Sequence, residues 1–130
     1  MHKKRLMNEI PRLSEDGKTL VEVTDKTVRS VTIPEGVTCI GELAFSRCSS
    51  LREIILPPHI REIGDGVFRY CVALHKIYCR ILFPNEVKVK ENSFDKTVLG
   101  QSTLFVPTGL IGAYRQHPIF GKYSEIKDYS

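Results

Sequence analysis

Leu51-Arg52-Glu53-Ile54-Ile55-Leu56-Pro57-Pro58-His59-Ile60-Arg61-Glu62-Ile63-Gly64-Asp65-Gly66-Val67-Phe68-Arg69-Tyr70-Cys71 is one copy of a unit whose residue types recur along the chain. Val28, Leu51 and Leu74 match, as do Val31, Ile54 and Ile77. Ile33-Pro34 matches Leu56-Pro57, Val37 matches Ile60, and Ile40-Gly41 matches Ile63-Gly64. Phe45 and Cys48 match Phe68 and Cys71, so the period is 23 residues, the step from position 45 to 68. A period of this size is the mark of a solenoid, in which no unit buries its apolar face alone and each stacks on the next.

Within the unit, Leu51, Ile54 and Leu56 point inward and the residues between them outward, as in a strand. Pro57 has no N–H to give to a ladder and suits a strand end. Ile60 and Ile63 supply a second inward stretch, and Gly64 is expected to take a positive φ in a tight turn. Residues 42–48 and 65–71 read as short helical turns, with Phe45 and Cys48, or Phe68 and Cys71, on one face.

The ends depart from the pattern. Asp16-Gly17 and Asp25-Lys26 are turn signals. Lys18 to Thr24 and Thr27 to Ile33 read as a hairpin that caps the first repeat, which otherwise exposes half its core. In the third unit Cys79 replaces Leu56 and Arg80 replaces Pro57. The next matching strand, Leu104-Phe105-Val106-Pro107, arrives four residues late, counted from 46 expected against 50 found between Ile54 and Leu104. A longer irregular loop is therefore expected over Ile81 to Asn92. A short helix follows at Gly109 to Gln116, ended by Pro118, then a closing strand at Ser124 to Lys127. The division is a disordered tail at 1–12 and a single repeat domain at 13–130, with caps at 13–30 and 108–130 around repeats at about 31–107.

The composition of this 130-residue chain is that of a globular domain, 42% hydrophobic and 26% charged. A net charge of +4 favours acidic partners without the dense basic patch of a nucleic-acid binder. No run suits a membrane-spanning helix. Met1 to Met7 resembles the charged front of a signal peptide, but Asn8, Glu9, Pro11 and Arg12 interrupt the apolar segment that should follow. A cytoplasmic protein, a fragment of a longer one and a chain without its leader all remain open. Lys3, Lys4 and Arg5 read as a solvated run.

The pattern from Ile33-Pro34 through Val37, Ile40-Gly41, Ala44-Phe45, Cys48 and Leu51 to Ile54 resembles the BspA-type leucine-rich repeat. The later segments Ile77-Tyr78-Cys79, Asn92-Ser93-Phe94 and Leu104 to Pro107, with Tyr114 and Phe120 in the tail, resemble the usual end of such proteins in Bacteroidetes. The resemblance spans roughly 18–127. It implies a mostly β, α/β right-handed solenoid with a parallel sheet on its concave side. It also implies secreted or cell-surface proteins, some of which bind host matrix and plasma proteins.

No phosphate-binding glycine loop, nucleophile elbow or paired carboxylates occur, so no enzyme activity, cofactor or catalytic residue is expected. Cys71, His75 and Cys79 have a spacing that would align metal ligands only on a helix. Here a turn and a strand are expected instead, and about 13 Å of strand would separate His75 from Cys79. The four cysteines, Cys39, Cys48, Cys71 and Cys79, are expected to be free, buried thiols, since Cys48 and Cys71 share one repeat position. The candidate site is the outward face of the strands. The period aligns Thr32, Ile55 and Tyr78, and the longer step brings Phe105 alongside. Arg29, Arg52, Glu53, His75, Lys76 and Arg80 form a mostly basic border. An aromatic centre with a polar rim fits a protein interface, with no nucleic acid, membrane insertion or small-molecule ligand expected. Cross-strand packing of the three apolar residues is the competing reading. An architectural segment of a larger surface protein and a carbohydrate-binding module are the alternatives.

Overall fold

Alternating burial and ladder pairing divide the chain between two five-stranded sheets in the computed structural model, which describes residues 11–129. The strands are β1 (Arg12–Leu13), β2 (Thr19–Glu22), β3 (Ser30–Thr32), β4 (Cys39–Ile40), β5 (Glu53–Leu56), β6 (Glu62–Ile63), β7 (Lys76–Cys79), β8 (Lys88–Val89), β9 (Thr103–Pro107) and β10 (Glu125–Tyr129). The first sheet runs β1-β2-β4-β6-β8 and the second β10-β9-β7-β5-β3. Every pair is parallel except β1 with β2. Each 23-residue unit thus gives one strand to each sheet, and the strands keep register: Val31 lies opposite Ile54 and Ile54 opposite Ile77.

Between the sheets lies the apolar interior. Phe45, Phe68, Leu51 and Leu74 are all fully buried. The phenylalanines form a column, with ring centroids 5.4 Å apart from Phe45 to Phe68 and 5.3 Å from Phe68 to Phe94. Phe120 continues it at 5.8 Å from Phe94. Stacking like residues suits an offset aromatic geometry that adds to plain burial.

The expected helical turns are corrected. Residues 42–48 and 65–71 form consecutive i→i+3 turns, with Cys48 N bonded to Phe45 O and Cys71 N to Phe68 O. Left-handed residues keep them from becoming helices: Leu43 at φ 58 and Arg47 at φ 67 in one coil, Gly66 at φ 59 and Tyr70 at φ 65 in the next. This conformation turns the backbone so that coil bonds to coil, as in Phe45 N to Val67 O and Arg47 N to Arg69 O. The left-handed glycine is Gly66, not Gly64. Gly64 is needed for another reason: a Cβ there would sit 2.7 Å from Glu42 N.

The N-terminal hairpin is also corrected. Thr19–Glu22 and Ser30–Thr32 lie in different sheets, and the antiparallel partner of β2 is β1, across the Asp16-Gly17 turn. The Asp25 signal is real but makes a corner: Asp25 Oδ1 accepts from Thr27 N at 2.9 Å, and the chain crosses to the other sheet. Pro11 is buried and Arg12 pairs with Glu22 at 3.1 Å, so these two residues are part of the domain edge rather than a tail. The remainder of the proposed tail, with Lys3, Lys4 and Arg5, lies outside the described residues.

The longer coil over Ile81 to Asn92 contains a 3-10 turn at Pro84–Glu86 and the strand β8. Helix α1 (Lys96–Gln101) starts where Asp95 accepts from Val98 N at 2.9 Å. Helix α2 (Ile111–Gln116) ends two residues before Pro118. A 3-10 turn at Phe120–Lys122 leads into β10, which extends two residues beyond the expected closing strand. No helix among the described residues is long and apolar enough to cross a membrane.

Candidate functional site

Inward-facing Ile54, Leu56, Ile77, Cys79, Leu104 and Val106 are fully buried, which leaves the alternate residues of β5, β7 and β9 on the outer face. Register then sets two rows across that face. One is Thr32, Ile55, Tyr78, Phe105 and Lys127. The other, two residues earlier in each strand, is Ser30, Glu53, Lys76, Thr103 and Glu125. Thr32 is exposed, whereas Ile55, Tyr78 and Phe105 are half-buried. Tyr78 and Phe105 stack with centroids 4.8 Å apart and planes 15° apart.

Tyr129 completes this aromatic group, edge-on to Tyr78 at 5.5 Å. It was missed because the closing strand was expected to stop at Lys127. Its place follows from the same alternation as Glu125 and Lys127, carried one step further. Leu82 and Phe83 were also missed, inside a segment read as irregular. They are 54% and 63% exposed, unusually open for such large apolar side chains. Leu82 lines a groove of about 510 Å³ with Pro58, Arg80, Pro107, Thr108 and Tyr129.

The basic border divides between the two strand ends. Arg29, Arg52 and His75 occupy equivalent positions before β3, β5 and β7, tied by bonds from Arg52 N to Arg29 O and from His75 N to Arg52 O. With Ser30, Glu53, Ala73 and Lys76 they line a concavity of about 640 Å³. Arg29, Arg52, His75 and Lys76 are exposed. Among the described residues the ion pairs are Arg12 with Glu22, Arg80 with Glu35, and Lys127 with Glu125, so none involves these four residues. Arg80 stands apart at the far strand end, held by Glu35.

Cys71, His75 and Cys79 are not brought together. Cys71 Sγ donates to Phe45 O at 3.0 Å, Cys79 Sγ meets the Tyr114 hydroxyl at 3.1 Å, and the exposed His75 ring donates from Nδ1 to Ala73 O. All four cysteines are free; Cys48, Cys71 and Cys79 are buried, while Cys39 is half-exposed. Burial pushes the Cys71 thiol up to about 12 and Cys79 up to about 11, so both stay protonated near neutral pH and are poor nucleophiles. Burial also raises Cys39 and Cys48. A buried histidine environment of another kind occurs at His117. Its Nδ1 accepts from Ile119 N at 3.0 Å and Phe120 N at 3.2 Å, which leaves Nε2 to donate to Val87 O at 3.1 Å. This is a structural role, since every ring nitrogen is committed to backbone.

Residues 24–112 match the family model described as BspA type leucine rich repeat region, in 6 copies. No curated protein and no solved structure matches the chain.

Proposed function

We propose that this chain, which belongs to the BspA-type leucine-rich repeat family, is a non-enzymatic protein-binding module of the adhesion type. The partner docks on the outer face of the second sheet. One observation carries the reading: a continuous half-buried row, Ile55, Tyr78 and Phe105, joined by Tyr129 and bordered by Arg29, Arg52 and Lys76, which make no ion pair among the described residues. Aromatic residues and arginine are the usual anchors of protein interfaces because they bury large areas and hydrogen-bond at their edges. In this reading the coils form a right-handed solenoid whose concave side is this sheet. The partner class is an extracellular or surface protein, such as a host matrix or plasma protein.

The test is capture of matrix and plasma proteins by immobilised protein. Tyr78→Ala and Arg52→Ala are each expected to abolish capture while the domain stays folded. Unchanged capture by both variants overturns the reading. A second reading, an architectural segment with no ligand of its own, draws on the 4.8 Å stack of Tyr78 on Phe105, which ties neighbouring strands whether or not a partner binds. Under that reading the two variants alter stability alone. The carbohydrate-binding alternative also uses this aromatic pair, and a glycan array separates it.

A further inference from the structure

We infer that the partner's docking segment is an acidic, extended peptide, with its carboxylates at the Arg29–Arg52–His75 end of the face and an apolar side chain on Tyr78 and Phe105. This specifies the protein-binding reading above and rests on it.

The repeat itself creates the charge. Positions 29, 52 and 75 are equivalent, so parallel pairing sets their backbones at the strand spacing of about 4.8 Å. Lys76, one residue on, adds a further cation to the same concavity. Glu53 is the one carboxylate lining it, and it lies beyond ion-pair distance of all four. Arg29, Arg52 and Lys76 repel one another, and Glu53, opposite Lys76 in register, is the one carboxylate of the concavity that offsets them. An anion placed there gains from several cations at once, and the concavity of about 640 Å³ has room for more than one carboxylate.

The apolar row decides what kind of anion. His75 stands just before β7, and Tyr78 lies three residues further along the chain, about 10 Å away. A ligand that meets both groups needs an acidic part and an apolar part at that separation. An extended peptide supplies this with an acidic residue and, two or four positions away so that both side chains face the sheet, a leucine or aromatic residue. A sulfated polysaccharide supplies the charge but has little to place on stacked rings of this kind. Inorganic sulfate supplies charge alone.

The experiment uses the full chain and a fluorescein-labelled peptide bearing three consecutive glutamates, two glycines, then Leu-Phe. Controls are the same peptide with lysines for glutamates, the same peptide with Gly-Gly for Leu-Phe, and a heparin octasaccharide. Binding is read by anisotropy at low and high salt, with circular dichroism confirming the fold of each variant. The acidic peptide is expected to bind, and more weakly as salt rises. The Arg29→Ala/Arg52→Ala/Lys76→Ala triple variant is expected to bind at least about tenfold more weakly. The Arg29→Glu/Arg52→Glu double variant is expected to prefer the lysine peptide. Tyr78→Ala and the Gly-Gly control are each expected to weaken binding while leaving its salt dependence in place.

No binding of the acidic peptide, or equal binding by the triple variant, overturns the inference. Binding of heparin that the triple variant loses and Tyr78→Ala keeps, without peptide binding, overturns it in favour of a sulfated glycan. Loss of matrix- or plasma-protein capture in Tyr78→Ala but not in the triple variant defeats the acidic assignment and leaves the protein-binding reading standing. Capture insensitive to Tyr78→Ala, Arg52→Ala and the triple variant defeats both.

Discussion

The coils from Ser30 to Cys79 and the segment from Arg80 to Tyr129 both close on a dry interior, by different means. In the coils, like stacks on like: Phe45 on Phe68, Val31 beside Ile54 and Ile77. Backbone groups pair either within the turns of a coil, as in Cys48 N to Phe45 O, or with the neighbouring coil, as in Leu43 N to Asp65 O. The buried polar residues, Ser93, Ser102 and His117, all belong to the second region. There the side chains replace donors that a further coil would supply. Ser93 Oγ donates to Ile63 O and Gly64 O, at 3.1 and 2.7 Å. Gln101 Nε2 serves Val72 O and Leu74 O, each at 3.0 Å. The Tyr114 hydroxyl donates to Ile81 O, and His117 to Val87 O. Repetition satisfies a backbone cheaply, whereas ending a repeat needs individually placed polar side chains, because buried carbonyls left bare are costly.

Phe68→Ala strikes the coil region hardest. It removes an interior ring of the column, stacked on both sides, and is expected to cost about 3–5 kcal/mol in urea unfolding. His117→Leu makes the matching break at the end. Three backbone groups lose their partner, for an expected loss of about 3 kcal/mol, since each unpaired group costs about 1–3 kcal/mol before relaxation. Hydrogen exchange should localise the damage to Val87–Val89 and Ile119–Phe120, whereas Phe68→Ala should speed exchange throughout the coils. A loss below about 0.5 kcal/mol for His117→Leu, the spread of ordinary surface substitutions, would erase the contrast.

Gly64→Ala sharpens the picture of coil-on-coil contact. The new methyl meets backbone at 2.7 Å, and an expected loss of about 1–3 kcal/mol follows from overpacking. Gly36→Ala, with open space around it, is the control and should be nearly silent. Tyr78→Ala should cost about 0.5–1.5 kcal/mol from the lost ring stack, well below Phe68→Ala. A smaller effect concerns alkali. Burial raises the Cys71 thiol from 9.0 to about 12, so the folded chain holds this proton more tightly than the unfolded one. That contribution is complete below the unfolded value and is lost as pH rises toward the folded one. Stability should therefore decline above pH 9.0, and less steeply in Cys71→Ala.

What could be read in advance follows the same division. The inward positions were legible because Phe45 and Phe68, or Ile54 and Ile77, repeat at constant spacing, and Phe94 remained recognisable despite its longer step. The outer row was legible through the same register, down to Phe105. Tyr129, Leu82 and Phe83 were not, because nothing upstream repeats them and their positions depend on how the last coil is closed. The turn glycines misled for a related reason. A glycine kept for close approach at Gly64 and one kept for its φ at Gly66 look alike in sequence, and only neighbouring atoms distinguish them. The hairpin was misplaced because a turn signal such as Asp25 says that the chain bends, not which sheet it enters.

The matched register of β3, β5 and β7 makes the length of the regular coils a matter of whole units. A duplicated 23-residue segment spliced in at Leu51 would meet the same surface on both sides and push the ends apart by about 4.8 Å. A duplication of 22 or 24 residues would slip each downstream strand by one place and turn its apolar side outward. Growth of the regular coils by unequal recombination is thus filtered by register, whereas the steps from Ile77 to Leu104 and from Leu104 to Ile126, which are not 23 residues, keep their strands in place through differently built connections.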